Sequence, residues 1–500
     1  MDNAKNILVS SKFKLNSLRA SNTKNTNESE ADHFEKCPKD LRFGKRHLQI
    51  INICFLVFVA YYTRNNLAVA IVAMTDRNAS VNTDIQTFNW TNKNVILSSF
   101  FIGYVPLQIS AGFLVRQFNV KVLAATSLGI SSFLGLLTPV IATHVGSKGV
   151  IAIRVLQGTT QGFVFPLVQH LLAYWVPPTE RAFLGGAVYA ARPMATVLAM
   201  IIPGYLAASS FGWPWIFYTS NIMALVWCLS FLIFSYERPS THPNLSKREQ
   251  IYIEKSIGNK NKKRVTYTPF REILTSPPFW ALTAAAFGYV WGFWTLQSQM
   301  PMYLKYVMKF DIKSSGAIAA LPYLMQFLAG YVFSFISDYL LGKNVWSIGT
   351  ARKTMNLIGC LGPALALVLL QSGGPEHAVK AIVLLTIAIA TSGACFCGYT
   401  INHIDLSPNH SSVLVGISNG LAQSCGFLAP LFVQGVVTNE EDPSQWKIVF
   451  YTAAAINVVA GVIFAIFGSG QVQSWDNIVS KNKIRTQENV EDVSNQELIT

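Results

Sequence analysis

Blocks of about twenty apolar residues, separated by short polar segments, fill most of this 500-residue chain. A helix of that length crosses a hydrocarbon core roughly 30 Å thick, so each block is long enough to span a membrane. Only 13 % of the residues are charged, whereas soluble domains carry roughly 25 %. The pattern indicates a polytopic membrane protein and excludes disordered, fibrous and disulfide-scaffold chains.

Twelve of these apolar runs are long enough to predict transmembrane helices and too long for buried strands. The predicted spans are Leu48–Met74, Val95–Val115, Val122–His144, Val150–Trp175, Phe183–Ser209, Trp213–Phe234, Phe279–Leu304, Ser315–Leu340, Met355–Leu370, Ala378–Asn402, Val413–Val437 and Val449–Phe467.

The distribution of lysine and arginine predicts how the chain is oriented. Basic residues are concentrated in the polar segment 1–47 and in the central segment 235–278, which six predicted spans separate. Since basic loops remain in the cytosol, both termini and the central loop are expected there. The net charge of +14 is therefore attributed mainly to membrane orientation, and no nucleic-acid partner is expected. The predicted regions are a cytosolic N-terminal tail 1–47, a first six-helix half 48–234, a cytosolic central loop 235–278, a second half 279–467 and a cytosolic C-terminal tail 468–500.

The first external loop, residues 75–94, holds two N-glycosylation sequons, at Asn78 and at Asn89. This loop lies on the side of the membrane where glycans are attached. The sequence therefore predicts a glycoprotein modified at these two positions.

Short sequence echoes recur six spans apart. Residues 108–112 read QISAG in the second span, and residues 326–330 read QFLAG in the eighth. A tryptophan followed by Phe-Tyr-Thr occurs in the sixth span and again at the start of the twelfth. Together with the central loop, these echoes predict two six-helix halves, the organisation of major facilitator transporters.

Three arginines lie within predicted spans, and the sequence has no Asp or Glu at comparable depth. They are Arg64, Arg154 and Arg192. An arginine at the centre of a membrane helix costs roughly 2.5–3.5 kcal/mol even on the lenient insertion scale, so such residues normally find a partner. Without carboxylates, the expected counter-ion is an anionic substrate held by the guanidinium fork. Snorkelling or bonding to backbone carbonyls is the alternative, and it is strongest for Arg192 because Pro193 follows it.

Helical phase groups polar side chains with two of these arginines. At about 100° per residue, Arg154, Gln157 and Gln161 fall on one face of the fourth span. Tyr61 and Arg64 share a face of the first span. A cavity lined by Arg, Tyr and Gln suits a carboxylate or a phosphate.

Charged residues near the ends of other spans are candidates for a gate. They are Glu180, Arg181, Asp338, Arg352, His403 and Asp405. Asp338 and the basic residue Arg352 bracket one loop, which suits a charge latch that closes in one conformation. A structural salt bridge or helix capping is the alternative for several of them. His403 and Asp405 have no further ligands nearby, so no metal site and no catalytic residue are predicted.

Several motifs resemble one transporter family over about residues 45 to 475. They include Arg64-Asn-Asn66-Leu in the first span, Arg154-x-x-Gln157-Gly158-x-x-Gln161-Gly162 in the fourth, and Asn402-His403-Ile-Asp405-x-x-Pro408 after the tenth. The chain is similar to the anion transporters that comprise sialin, the vesicular glutamate transporters and the type I sodium–phosphate cotransporters. The resemblance implies an all-α major facilitator fold of twelve transmembrane helices. It also implies that Arg154 binds the substrate anion and that Arg64 assists binding or gating.

The chain departs from the family pattern where the coupling and specificity residues are expected. Proton-coupled relatives have Glu at the position of Gln161, and sialin has a second Glu at that of Gln157. Vesicular glutamate transporters have Arg at the position of Tyr289. The missing carboxylates argue against the proton route, and Tyr289 is expected to shape the cavity. Arg192 stands where relatives have a small residue, so it is a candidate second anchor for the anion.

The sequence thus predicts a secondary active transporter of an organic or inorganic anion, phosphate or a carboxylate such as sialic acid, working by alternating access. Coupling to sodium or to the membrane potential is favoured, and no cofactor is expected beyond a coupling ion, Na⁺ or H⁺. The alternative is a proton-coupled, sialin-like lysosomal exporter. Distant alternatives are a polytopic membrane enzyme and a non-transporting receptor. The expected partners are the small anion and the lipid bilayer, in either the plasma membrane or a lysosomal or vesicular membrane. The sequence leaves the oligomeric state open.

Overall fold

The structure is a computed structural model that describes residues 43–76, 79–82, 84–90, 92–257, 268–309, 312–370, 375–439 and 441–477. Over these ranges the chain is all-α and contains no β-strand. The sequon residue Asn78 lies outside the described residues. Asn89 lies in an exposed loop position, and its glycosylation stays a prediction.

Seventeen α-helices are labelled here in chain order, together with short 3₁₀ turns. They are α1 (Lys45–Thr75), α2 (Lys93–Leu114), α3 (Val120–His144), α4 (Ser147–Gln161), α5 (Val164–Trp175), α6 (Arg181–Ala208), α7 (Gly212–Phe234), α8 (Lys247–Ile257), α9 (Phe270–Leu274), α10 (Pro277–Tyr306), α11 (Ile312–Gly342), α12 (Ile348–Leu369), α13 (Ala378–Ser392), α14 (Tyr399–Leu406), α15 (Ser411–Gln423), α16 (Cys425–Val436) and α17 (Pro443–Phe467).

Nine helical stretches in the described part of the chain are long and apolar enough to cross a membrane. They coincide with nine of the twelve predicted spans. The other three predicted spans, beginning at Val150, Phe279 and Met355, are also helical. The all-α fold class predicted from the apolar blocks is therefore confirmed.

Three predicted spans are not continuous helices. The fourth is divided into α4 and α5 by a turn at Gly162 and Phe163. The tenth is divided into α13 and α14 by the 3₁₀ turn Gly393–Phe396, where backbone from a neighbouring helix approaches closely: a Cβ atom at Gly393 would lie 2.9 Å from the carbonyl O of Gln326. The eleventh is divided at Ser424. Broken helices of this kind are typical of transporters, where irregular backbone lies next to a cavity or to other protein groups.

Helices before the central loop pack directly on helices after it. Helix α6 packs along α11, and α2 packs along α15. A Cβ atom at Gly112 of α2 would lie 2.3 Å from the carbonyl O of Ser412, so the α2–α15 contact brings backbone against backbone. These two contacts join the helices around the interior that holds the buried arginines.

The tightest helix crossing is between α2 and α4. A Cβ atom at Gly158 would lie 1.9 Å from the carbonyl O of Phe100, and one at Gly103 would lie 2.0 Å from that of Val155. Small residues allow backbones to approach this closely in membrane bundles, where packing replaces the hydrophobic effect as the driving force. The crossing places Arg154, one turn before Gly158, against the aromatic residues of α2.

We expect Gly158→Ala to destabilise the bundle, because the added methyl group must push α2 and α4 apart. Overpacking of this kind costs about 1–3 kcal/mol, and the melting temperature of the detergent-solubilised protein should fall. Gly129→Ala in α3 is the matched control, since nothing lies within 4 Å of its Cβ position. An unchanged melting temperature for Gly158→Ala would contradict the close crossing.

Candidate substrate-binding site

The side chain of Arg64 lies in a cage of aromatic rings. It is only 5 % exposed. Its guanidinium carbon lies 4.5 to 5.4 Å from five ring centroids, those of Tyr61, Phe100, Phe101, Tyr104 and Trp294. An aromatic face attracts a cation by about 0.5–2 kcal/mol, depending on how dry the site is. The cage therefore stabilises the charge of Arg64 without neutralising it.

Arg154 lies beside this cage, on α4. Its Nη2 donates to the carbonyl O of Arg64 at 3.3 Å, and its Nη1 donates to Oε1 of Gln157 at 3.2 Å. Its guanidinium carbon lies 5.0 Å from the ring centroid of Phe100, a ring that also faces Arg64. Two buried cations thus share one aromatic ring.

The glutamines predicted to share a face with Arg154 do face the interior, and both reach α3. The Nε2 atom of Gln157 donates to the carbonyl O of Ser131 at 3.1 Å, and that of Gln161 donates to Oγ of Ser131 at 3.0 Å. Gln161 also lies 3.5 Å from Oγ1 of Thr63 on α1. These bonds fix the polar stripe of α4 between α1 and α3.

Arg192 lies in a second aromatic environment, formed largely by helices after the central loop. Its Nη2 donates to the hydroxyl of Tyr289 at 3.0 Å. Four ring centroids lie 5.1 to 5.9 Å from its guanidinium carbon, those of Tyr61, Tyr289, Phe293 and Phe396. The ring of Tyr61 is shared with Arg64, so the two aromatic cages meet at this residue.

None of the three arginines forms an ion pair with any residue that the structure describes. Each also keeps one nitrogen without a hydrogen-bond partner among those residues: Nη2 of Arg64, Nε of Arg154 and Nε of Arg192. An unsatisfied buried donor on a charged group is costly. The interior therefore offers three cations whose remaining donors are suited to an anion.

The seven predicted binding residues form two contact groups that the ring of Tyr61 joins. Arg64, Arg154, Gln157 and Gln161 make up one group, and Arg192 with Tyr289 the other. Apart from Tyr61 and Tyr289, the aromatic residues of the cages were not predicted as site residues. The three on α2 occur at positions 100, 101 and 104, a spacing that places them on one side of the helix. The spacing does not identify Arg64 as their partner, because Arg64 lies on another helix.

Three of the predicted gating residues form a separate ionic cluster at one end of the bundle. The carboxylate of Asp405, at the end of α14, accepts hydrogen bonds from Nη1 of Arg181 and from Nε of Arg352, each at 2.7 Å. Arg181 begins α6, before the central loop, whereas Arg352 and Asp405 follow that loop. One buried carboxylate therefore connects helices from both sides of the central loop.

The predicted pairing of Asp338 with Arg352 is not observed, and Glu180 lies in a separate ion pair. Asp338 does not pair with Arg352; its carboxylate accepts the backbone N–H groups of Ala182 at 3.2 Å and Phe183 at 2.6 Å. It thereby caps the N-terminus of α6, where the helix dipole favours a negative charge. Glu180 pairs with Arg46 at the start of α1, at 2.9 Å.

His403 bonds within its own surroundings and not to Asp405. Its Nδ1 lies 2.9 Å from the carbonyl O of Thr400, and its Nε2 lies 2.8 Å from Oγ of Ser418. A carbonyl can only accept, so Nδ1 carries a hydrogen. The ring therefore connects α14 to α15.

A buried cluster at the same end of the bundle was missed by the sequence analysis. Asp476, placed there in the C-terminal tail, accepts the side-chain hydroxyl of Ser407 and the backbone N–H of Asn409. The loop that it holds presents His410, whose Nδ1 lies 2.7 Å from Nη1 of Arg116 in the turn after α2. Burial and the adjacent Arg116 lower the pKa of His410 to about 3, so the neutral ring accepts from the guanidinium.

Comparison with known proteins agrees with this architecture. Residues 53–430 match the Major Facilitator Superfamily. The chain is 36 % identical to a Drosophila ananassae protein named "Putative inorganic phosphate cotransporter". The alignment spans 442 residues, which are 84 % of this chain and 91 % of that relative. It is 32 % identical to human sialin, covering 84 % of this chain and 88 % of sialin. It is 34 % identical to bovine vesicular glutamate transporter 1, and the match covers 83 % of this chain and 76 % of that transporter.

Among solved structures, the proton:xylose symporter XylE superposes with a TM-score of 0.60. The match covers 85 % of this chain and 98 % of XylE, at 15 % identity, and it therefore supports the fold alone. The family match and the named relatives define the chain as a polytopic membrane transporter, not an enzyme. The chain belongs to the major facilitator superfamily and, within it, to the family of sialin, the vesicular glutamate transporters and their phosphate-cotransporter relatives. This confirms the resemblance seen in the sequence.

We expect a multivalent anion to stabilise the purified protein. Phosphate should raise the melting temperature above that in chloride at equal ionic strength, since a ligand at 100 times its Kd adds about 2.7 kcal/mol to the free energy of unfolding. Tryptophan fluorescence during heating measures the shift. Arg64→Gln should reduce the shift, whereas Arg248→Gln on the exposed face of α8 should not. Equal shifts in both variants would contradict an anion site at Arg64.

Proposed function

We propose that the protein carries a small organic or inorganic anion across a membrane by alternating access. The observation that supports this most directly is the group of three buried arginines without carboxylate partners in the described part of the chain. An anion between them would supply the missing negative charge and accept their remaining N–H groups. The names of two relatives, a phosphate cotransporter and a glutamate transporter, agree with an anionic substrate.

The proposed site lies between two six-helix halves, 48–234 and 279–467. Arg64, Arg154, Gln157 and Gln161 belong to the first half and Tyr289 to the second. Arg192 belongs to the first half but contacts Tyr289 and Phe396 of the second. A site built from both halves is what alternating access requires, because rocking of the halves then exposes it to one side at a time.

We further propose that transport is coupled to sodium or to the membrane potential. Gln157 and Gln161 occupy the polar stripe beside Arg154, and an amide cannot release a proton at physiological pH. A proton-coupled exporter is the alternative. Uptake into proteoliposomes under sodium, pH and voltage gradients, imposed one at a time, distinguishes the two. Uptake that only a pH gradient drives would contradict the proposed coupling.

The ionic cluster at Asp405 is proposed to act as the cytosolic gate. Arg181 and Arg352 meet on its carboxylate from opposite halves, so opening this end requires the ion pairs to separate. Hydration of that end would compensate the separated charges. The assignment of this end to the cytosolic side rests on the proposed orientation, in which the positive-inside rule puts both termini in the cytosol. The membrane is proposed to be the plasma membrane or a lysosomal or vesicular membrane.

Replacing Arg154 with Ala is expected to abolish anion uptake while leaving membrane insertion intact, since it removes a charge at the proposed site. Proteoliposome uptake of labelled phosphate, glutamate and sialic acid measures activity, and size-exclusion chromatography checks folding. Arg248→Ala, on the exposed face of α8, is the control. Uptake by Arg154→Ala at the normal rate would refute the site.

Replacing Asp405 with Asn is expected to open the proposed gate. Breaking a buried ion pair costs about 3–5 kcal/mol because uncompensated charge is left behind. A cysteine introduced at Ser412, which is buried against Gly112, reports opening through its labelling rate with a water-soluble maleimide. Labelling should become faster in Asp405→Asn and stay unchanged in Asp442→Asn, which alters only the half-buried N-cap of α17. Slow labelling in both would mean that Asp405 does not hold this end closed.

A further inference from the structure

Residues 469–476, which follow the last membrane helix, fold back onto the end of the bundle that holds the proposed gate. The carbonyl O of Ser469 accepts Nδ2 of Asn402 at 2.8 Å. The backbone N–H of Gln473 donates to the carbonyl O of Leu406 at 2.9 Å. Both partners belong to α14, the helix that carries the carboxylate of the proposed gate. We call residues 469–476 the C-terminal clasp.

The clasp packs as closely on the bundle as the membrane helices pack on one another. A Cβ atom at Gly470 would lie 2.3 Å from the backbone N of Gly349, in the first turn of α12. The side chain of Trp475 is buried, and its ring centroid lies 6.3 Å from that of His410. A solvated tail would bury neither a glycine backbone nor a tryptophan. The clasp is therefore an integral part of this end of the bundle.

The carboxylate of Asp476 fixes the turn between α14 and α15. It is buried and accepts three hydrogen bonds from that turn. The donors are the hydroxyl of Ser407, the backbone N–H of Asn409 at 3.1 Å and Nδ2 of Asn409 at 2.8 Å. Hydrogen bonds to an ionised group are roughly twice as strong as those between neutral groups. Three of them on one turn hold its shape.

The turn connects the clasp to the first half. The hydroxyl of Ser407 gives its only hydrogen to Asp476, and its oxygen accepts the backbone N–H of His410 at 3.2 Å. The ring of His410 accepts Nη1 of Arg116 at 2.7 Å. Arg116 belongs to the first half, and its Nη1 also donates to Oγ1 of Thr268, in the central loop, at 2.7 Å. A continuous chain of hydrogen bonds therefore runs from the clasp to the first half.

This chain lies beside the α2–α15 crossing, which must separate if this end of the bundle opens. His410 directly precedes α15, and Arg116 lies in the turn after α2. Burial lowers the pKa of Arg116, and the negative charge of Asp476 opposes this effect. Opening would take the guanidinium away from both its neutral acceptor and this charge. The clasp therefore stabilises the closed arrangement.

We infer that the C-terminal clasp holds the cytosolic end closed by positioning His410 against Arg116. Asp476 is a positioning residue for the gate: it acts through the turn 407–410 and determines how readily this end opens. This rests on the proposed function, because alternating access requires the cytosolic end to open in each cycle.

The labelling rate of a cysteine away from the clasp tests the inference. Ser334→Cys places the reporter at the α6–α11 crossing, where Ser334 is fully buried and packs against Gly186. Asp476→Asn should raise its labelling rate with a water-soluble maleimide about ten- to a hundredfold, because hydrogen bonds to a charged group are lost. Peptide mass spectrometry reads residue 334 separately from the native cysteines, and no substrate is added.

A double-mutant cycle tests whether Asp476 acts through His410. His410→Phe should raise the labelling rate at residue 334 to a similar extent, and adding Asp476→Asn to it should change little further. Gln471→Ala, at an exposed position of the clasp, is the matched control and should leave the rate unchanged. If Asp476→Asn does not fold, Ser407→Ala breaks the same chain of hydrogen bonds while the carboxylate is retained, and the same increase is expected.

An unchanged labelling rate at residue 334 in Asp476→Asn and His410→Phe would overturn the inference. So would two effects that simply multiply in the double variant. Faster labelling of Ser412→Cys, next to the clasp, without faster labelling at residue 334 would overturn it too, because Asp476 would then hold only its own turn. A wild-type protein that carries none of phosphate, glutamate and sialic acid would count against the proposed function, whereas the labelling rates do not depend on which anion is carried.

Discussion

The interior of this bundle depends on keeping guanidinium charge stable without neutralising it. A buried arginine in a membrane helix costs roughly 2.5–3.5 kcal/mol on the lenient scale. A carboxylate partner would neutralise its charge. The chain instead surrounds Arg64 with five aromatic faces and Arg192 with four. Ring faces attract a cation but carry no net charge, so an incoming anion does not have to displace a competing ion. This explains why aromatic residues, and not acidic ones, line the arginines.

At the proposed gate, in contrast, buried arginines are paired with a carboxylate. Arg181 and Arg352 are buried, but each is paired with Asp405 at 2.7 Å. Asp338, which is half-buried, and Asp476, which is buried, lie at the same end and accept hydrogen bonds from several N–H and O–H groups. Carboxylates are thus concentrated where helices of the two halves must hold together, and they are kept away from the interior cations. The position of the carboxylates thus distinguishes the proposed gate from the proposed binding site.

Much of this arrangement follows from the sequence. Apolar block length gives the helices, the cost of burial singles out the three arginines, and helical phase places Gln157 and Gln161 beside Arg154. The remainder depends on contacts between distant helices, which no local pattern encodes. Trp294 reaches the Arg64 cage from α10, and Asp338 caps a helix that begins more than 150 residues earlier. The breaks in the predicted spans were also missed, because glycines in an apolar run signal either a kink or a close crossing equally well.

The two aromatic cages also indicate how binding of an anion would affect both halves. Arg64 on α1 faces Trp294 on α10, and Arg192 on α6 faces Tyr289 on α10, so both cations already bridge the halves through ring contacts. A ligand shifts a conformational equilibrium only as far as its interaction energy differs between the two conformations. An anion bound between the cations would compete with the rings of the second half for the guanidinium groups. This competition would occur only in conformations in which those rings contact the guanidinium groups. The substrate would then change the contacts between the halves at the place where it binds, with no separate relay to the gate.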